Sequence, residues 1–390
     1  MERERLSREW LLTYEYWAYM KRLKKLDVMA LGFMTFALFL GAGNIIFPPF
    51  VGLQAGDKVW LAALGFLLTG VGLPLLTVVA LARVGGGIAE LTAPIGRWAG
   101  IFFAVPVYLA IGPLFATPRT AVVSFEMGIA PLVGESDWAL ASYSARYFVV
   151  VMMLSLNPGR LIDRIGKVIT PVLIAALIIL GCAAIWMPVG PIGLGHDAYD
   201  PAPILSGFGD GYLTMDTLGA LVFGVVVTNA IRARGITDER SVTHYTMIAG
   251  CIAAVCLSLV YLSLFYLGAT SESIAASAKN GVQVLTIYVD HTFGAIGSLL
   301  LAVVITLACL TTAVGLISAC GQYFSRLTGL SHRAIVVLFS VLSMLVANLG
   351  LDLLISISEP VLVALYPLAI ALVGLCLMSG RLMRFVFGFG

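Results

Sequence analysis

The sequence predicts an all-α membrane protein: ten transmembrane helices in two five-helix halves of opposite orientation, helices 1 and 6 broken, both termini inside. Three observations predict it. Hydrophobic residues make up 60% of the 390-residue chain and charged residues 11%, with mean hydropathy +1.01, far from the balance of a soluble domain. Apolar runs of about 20 residues, the length that crosses a bilayer, recur along the chain. The basic residues gather in alternate connections between those runs. A net charge of +2 gives no basis for nucleic-acid binding.

Residues 1–27 are charged and aromatic, with Trp10, Tyr14 and Trp17 at roughly helical spacing. They read as a cytoplasmic segment, either an interfacial helix on the inner leaflet or a solvated tail. They do not read as a cleavable signal peptide, because the charges are spread and no small-residue cleavage site follows a short apolar core. Apolar spans then fall at 28–52, 59–82, 99–128, 139–157 and 168–187, and again at 211–231, 243–267, 295–324, 334–350 and 354–378. The long ones, 99–128 and 295–324, are expected to tilt. The domains are therefore 28–187 (helices 1–5), an extracytoplasmic loop 188–210, 211–378 (helices 6–10) and a cytoplasmic tail 379–390.

The charges test this count. With the N-terminus inside, nineteen of the 23 Lys and Arg lie on the inner side, and only Lys58, Arg119, Arg146 and Lys279 remain for the outer half. The loop 188–210 carries Asp197, Asp200 and Asp210 without one basic residue. The positive-inside rule then gives N-in, C-in and an even number of spans.

The first span carries its own interruption. Gly41, Ala42, Gly43 and Asn44 sit near its middle, and Pro48 and Pro49 follow one turn later. Glycines permit unwound backbone, and Asn44 brings donors and an acceptor where hydrocarbon penalises them. Irregular backbone at membrane depth persists only when buried in protein or lining a cavity. A Gly-rich helix-packing face with an Asn hydrogen bond is the alternative for this stretch alone.

The sixth span is interrupted too. Asp216 lies inside apolar sequence between Thr214 and Thr217, and Gly219 gives the helix a place to open. An intramembrane carboxylate usually faces a cavity or an ion path; a helix-start carboxylate at the outer interface, after Asp210 and Gly211, is the plainer alternative. The two spans open the two halves, and five helices per half set those halves in opposite orientations. Corresponding interruptions in inverted halves point to a transporter site near the bilayer midplane. In the eighth span Thr311 and Thr312 place two hydroxyls mid-helix, where each can bond back to the preceding turn. Beside carbonyls freed at the first break, they could complete an oxygen cage for a small hard cation.

Other polar residues carry weaker signals. Arg119 and Glu126 share one face of the third helix, as an outer gate or a structural pair. Glu359 stands near the start of the last span, and Tyr108 can lay its ring on a substrate or pack as an ordinary aromatic. Cys182, Cys251, Cys256, Cys309, Cys320 and Cys376 all lie in apolar spans without C-x-x-C spacing and read as packing residues. His196, His244, His291 and His332 are too scattered for a metal cluster. Gly85, Gly86 and Gly87 follow no strand, so a nucleotide cradle is excluded by context.

Gly32-Phe-Met-Thr-Phe-Ala-Leu-Phe-Leu-Gly-Ala-Gly-Asn-Ile-Ile-Phe-Pro-Pro49, with Gly52-Leu-Gln-Ala-Gly56, resembles the signature of the bacterial branched-chain amino acid:cation symporters. Pro113-Leu-Phe-Ala-Thr-Pro-Arg-Thr-Ala121, Gly211-Tyr-Leu-Thr-Met-Asp-Thr-Leu-Gly219 and Ala347-Asn-Leu-Gly-Leu351 extend the resemblance over about residues 26–378. It implies sodium-coupled uptake of leucine, isoleucine and valine across the bacterial plasma membrane. It also implies the leucine-transporter-like five-plus-five fold, with no enzymatic activity and no cofactor beyond the coupling ion. In that fold the amides of Gly41, Ala42 and Gly43 hold the substrate carboxylate. Carbonyls near Ala37 and Leu40 face Thr311 and Thr312 across a sodium site. Family members have twelve spans, and this chain is read to stop after ten; its first 25 residues carry no resemblance.

The expected mechanism is alternating access, with the substrate ammonium at Asp216, Thr214 and carbonyls of the opened sixth helix, beside Asn44, Tyr108 and Gly219. Proton coupling through Asp216 and a non-transporting amino-acid sensor stay open. A membrane-embedded hydrolase pairing Asp216 with Glu126 or Glu359 is a further alternative.

Overall fold

The first apolar span is two helices. Helix α1 (Lys25–Phe39) stops at Leu40, whose ψ of 85° leaves the helical region, and α2 (Ala42–Ala55) begins after an extended Gly41. The interruption is therefore narrower than the sequence suggests. Only Leu40 and Gly41 are unwound, while Ala42, Gly43 and Asn44 form the first turn of α2. The computed structural model describes residues 23–85, 87–134, 136–156, 160–195 and 199–378; among these there are helices and connections and no strand. Trp10, Tyr14, Trp17, His196, Asp197 and the tail 379–390 lie outside the described residues.

The chain continues through α3 (Val59–Leu67) and α4 (Leu73–Val84), joined by a wide turn at 68–72, and a short α5 (Ile88–Thr92). The third span divides into α6 (Arg97–Leu109) and α7 (Ala116–Gly128) around a kink at Gly112 (ψ −113°). After α8 (Ala130–Val133) come α9 (Asp137–Leu156) and α10 (Arg160–Trp186).

The sixth span begins earlier than the sequence indicates. Residues expected to end an extracytoplasmic loop over 188–210 form α11 (Pro203–Tyr212), bent by 45° against α12 (Asp216–Arg232). Pro203 suits a first-turn position, where its missing N–H is no loss. Gly219 is not where this helix opens. Its N–H donates to the Met215 carbonyl at 2.8 Å inside the first turn of α12, and the unwound residues are Leu213–Met215.

Next come α13 (Glu239–Ala269), α14 (Glu272–Ala275), and α15 (Gly281–Thr328), whose run is broken at Gly294 (φ 64°). Residues 281–293, which precede the expected eighth span, are helical too. The chain closes with α16 (His332–Ala347) and α17 (Leu351–Leu377). Among the described residues six helices are long and apolar enough to cross a membrane, seven if the bent α11–α12 pair is one span, and α16 is a shorter apolar helix.

Small residues let the broken elements approach closely. A Cβ on Gly52 would strike the Phe265 backbone, one on Gly268 the Pro49 backbone, and one on Gly281 the Ile46 backbone. Helix α2 is thus clasped between α13 and the start of α15, as expected where interior helices associate through backbone contact. Leu64, Phe102, Trp138, Ile178 and Leu299 are among many large apolar side chains left on the outside, the surface a bilayer covers.

The two ends of the molecule carry different chemistry. At one end Lys58 pairs with Asp200, which joins the α2–α3 turn to the acidic connection before α11. At the other, Arg83 donates to the Leu377 carbonyl at 3.2 Å, and Arg232 to the Gly85 carbonyl at 3.4 Å and to Glu239 at 3.1 Å.

Candidate functional site

Four helix ends converge at the two breaks. The Gly41 N–H, which would serve the Ala37 carbonyl in a continuous helix, instead donates to Phe39 O at 2.8 Å and to Asn44 Oδ1 at 3.0 Å. Asn44 thereby caps its own helix, and the amides of the first turn of α2 keep no intrahelical acceptor. Such an N-terminus favours negative charge and the C-terminus of α1 favours positive charge.

The second break is held from outside. Met215 takes a left-handed conformation (φ 64°), which costs a non-glycine residue roughly 1–2 kcal/mol. Arg119 from α7 donates Nη1 to the Leu213 carbonyl at 2.7 Å and Nη2 to the Thr214 carbonyl at 3.4 Å. Thr214 Oγ1 donates to the Gly211 carbonyl at 2.9 Å and accepts from the Asp216 N–H at 3.4 Å.

The breaks are also tied to each other. Asn44 Nδ2 donates to Asp216 Oδ2 at 2.5 Å and also bonds the Tyr261 hydroxyl, which donates to the same Oδ2 at 3.0 Å. Asp216 is 5% exposed and Asn44 1%, so this triad satisfies polar groups that hydrocarbon would penalise. It joins α2, α12 and α13.

Between the breaks lies a cavity of about 40 Å³. Gly41, Ala42, Gly43, Asn44, Thr214, Asp216, Gly219 and Thr312 all line it, so the structure gathers residues that the sequence singled out in three separate spans. Leu38, Ile111, Phe223 and Leu316 supply apolar wall. Thr312 approaches the first break closely: its methyl lies 3.6 Å from where a Cβ on Gly41 would stand. A Cβ on Gly219 would meet only the Phe223 ring, in ordinary van der Waals contact at 3.9 Å.

Four expected residues lie off the cavity wall. Tyr108 does not line it. Its ring stacks instead on Tyr323, with centroids 4.0 Å apart. Ala37 and Leu40 stand beside the wall at the end of α1 rather than on it, and the Thr311 hydroxyl donates back to Ala308 at 2.8 Å. The three carboxylates considered for acid–base chemistry line three different cavities: Asp216 here, Glu126 beside Ala130 and Gln283, Glu359 beside Asp210 and Tyr199. A paired acid and base is not assembled.

Sequence reasoning missed two participants. Arg119 is a lone basic residue within an apolar span, which is itself a signal of function; the sequence reads it as an outer gate or a structural pair with Glu126, whereas it lines the cavity and holds the second break. Tyr261 carries no such signal, since a tyrosine in an apolar helix is unremarkable until its hydroxyl is seen on Asp216. Among the described residues no group of three or more His, Cys, Asp or Glu is placed to hold a metal ion.

Comparison with known proteins agrees with this architecture. A profile of the family described as "Branched-chain amino acid transport protein" matches residues 24–386. The branched-chain amino acid transport system 2 carrier protein of Pseudomonas aeruginosa is 68% identical over 92% of this chain and 82% of its own length. The branched-chain amino acid permease BrnQ of Escherichia coli is 57% identical over 90% and 80%, respectively. Among solved structures, that of MhsT in complex with L-phenylalanine superposes with a TM-score of 0.62 at 15% identity, covering 90% of this chain and 88% of that one. That likeness establishes the leucine-transporter-like fold.

Proposed function

The chain belongs to the branched-chain amino acid transport protein family, whose relatives are named carriers and permeases rather than enzymes, and we propose that it takes up leucine, isoleucine and valine with sodium by alternating access. The supporting observation is the single cavity faced by both breaks. The amides of Ala42 and Gly43 receive the substrate carboxylate at the positive end of α2, beside Gly41, whose own N–H is taken by Phe39 and Asn44. Asp216, Thr214 and the carbonyls of the second break receive the ammonium. The aliphatic side chain lies toward Leu38, Ile111, Phe223 and Leu316, which must part to admit it, since the cavity of about 40 Å³ holds only a few waters.

Sodium enters with the substrate, held by carbonyls near Ala37 and Leu40 and by the hydroxyls of Thr311 and Thr312. One sodium with a neutral zwitterion carries one charge inward, worth about 2.3 kcal/mol per 100 mV. At roughly 1.4 kcal/mol per tenfold, that supports an approximately 40-fold gradient. An aliphatic pocket rejects a missing methylene by only about 1–3 kcal/mol, which favours acceptance of all three substrates. The ten-helix inverted repeat, with both termini inside in a bacterial inner membrane, is the arrangement in which this chemistry works.

A second reading is favoured by one observation: a buried carboxylate, Asp216, lines the cavity and offers a site for a coupling proton. Uptake of labelled leucine into proteoliposomes, driven separately by a sodium gradient and by a proton gradient at the same membrane potential, decides between them. Accumulation with sodium alone is expected. Accumulation with the proton gradient alone transfers coupling to Asp216, and counterflow absent under every condition removes transport altogether.

A further inference from the structure

We propose that Arg119 recognises the substrate carboxylate, taking it on the Nε–Nη2 edge of the guanidinium beside the Ala42 and Gly43 amides. The inference rests on the transport reading above and adds a charged partner to a role that amides alone filled there. A permanent cation held out of water needs partners. Arg119 is 4% exposed, and its contacts with Leu213 and Thr214 engage Nη1 and, at the longer 3.4 Å, Nη2. Nε is buried without a hydrogen-bond partner. The Phe47 ring lies 5.2 Å from Cζ, within cation–π range.

The free edge is close to the amides. Arg119 Nη2 stands 2.7 Å from where a Cβ on Gly43 would be, and both residues line the cavity. An Nε–Nη2 edge is the geometry that accepts a carboxylate through two parallel hydrogen bonds. Asp216 lines the same cavity, with Oδ2 held by Asn44 and Tyr261. One fixed cation and one fixed anion in one small chamber match a zwitterion. A ligand bearing only an ammonium leaves the guanidinium buried without its counterpart, so amines that lack a carboxylate are rejected.

The test compares leucine with leucinamide, which keeps the amine and side chain but replaces the carboxylate by a neutral amide. Affinities are read from ligand-induced thermal stabilisation of the purified full-length protein. The wild type is expected to prefer leucine by about 100-fold, the scale of a lost charge-assisted hydrogen-bond pair. Arg119→Gln loosens the second break and so weakens both ligands, but it should weaken leucine about 100-fold more than leucinamide, so the ratio collapses. Equal weakening of both ligands, or unchanged leucine affinity, overturns the proposal. If Arg119→Gln does not fold, the ratio in Arg119→Lys decides: loss of the bidentate edge should lower it about tenfold, and an unaltered ratio overturns the assignment. A wild type that binds no leucine defeats the transport reading instead, a result separable from each of these.

Discussion

The two breaks face the same cavity but are built differently. The first is written locally: Asn44 caps the Gly41 amide three residues away, and Gly41 rests in an extended conformation (φ −105°, ψ −174°) that any residue can adopt. Gly43 serves close approach, not unusual torsion, since a Cβ there would meet Arg119 Nη2 at 2.7 Å and the Thr214 Cα at 3.2 Å. The second break places a methionine, not a glycine, at φ 64°. Its cost is offset from elsewhere, by Arg119 on α7 and by the Asn44–Tyr261 pair on Asp216. One discontinuity is encoded by its own residues; the other is imposed by its neighbours.

Asn44→Ala removes a cap from the first break and a carboxylate donor from the second, so it should produce the largest loss. The expected cost is about 2–4 kcal/mol of stability, from a missing cap and a buried carboxylate left short of a donor, with leucine counterflow abolished. A fall in thermal midpoint no larger than that of a surface substitution would show the breaks to be uncoupled. Gly43→Ala comes next. Its methyl displaces Arg119 from the second break although the substitution is in the first, and leucine affinity should drop by more than about tenfold, on the scale of one charged hydrogen bond.

Thr312→Ala should then raise the sodium concentration for half-maximal uptake by about tenfold, the loss of one coordinating oxygen, while leucine affinity at saturating sodium stays nearly constant. Normal sodium activation in that variant removes Thr312 from the cation site. The smallest effects give the sharpest contrast between the breaks. Unfolding of Met215→Gly should need roughly 1 kcal/mol more than that of Met215→Ala, because glycine relieves the positive φ. Gly41→Ala should shift stability by under about 0.5 kcal/mol, since its Cβ meets only ordinary contacts at 3.5 Å and beyond. Equal Gly–Ala differences at both positions would erase the distinction.

This contrast explains what could be read in advance. The interruption at Gly41 was legible because Asn44, whose side chain caps the Gly41 amide, lies three residues away. The sixth-helix opening was placed at Gly219, on the expectation that glycine marks flexibility, whereas the turn falls at Met215, where propensity argues against it. Tyr108 and Arg119 are eleven residues apart on the same span, on either side of the kink at Gly112, yet one stacks on Tyr323 and the other lines the cavity. Nothing in their spacing distinguishes those destinations.

By itself, then, the chain's composition and periodicity determined the membrane class and the position of the first break. Hydrocarbon length and local backbone preference are enough for these, since each is settled within a turn or a span. Tertiary structure alone decided that Asn44 would meet Asp216, 172 residues away, and that Arg119 would hold carbonyls 94 and 95 residues distant. Buried polar groups must find partners wherever packing brings them, and which partners those are depends on how whole helices cross, a property no local window of sequence contains.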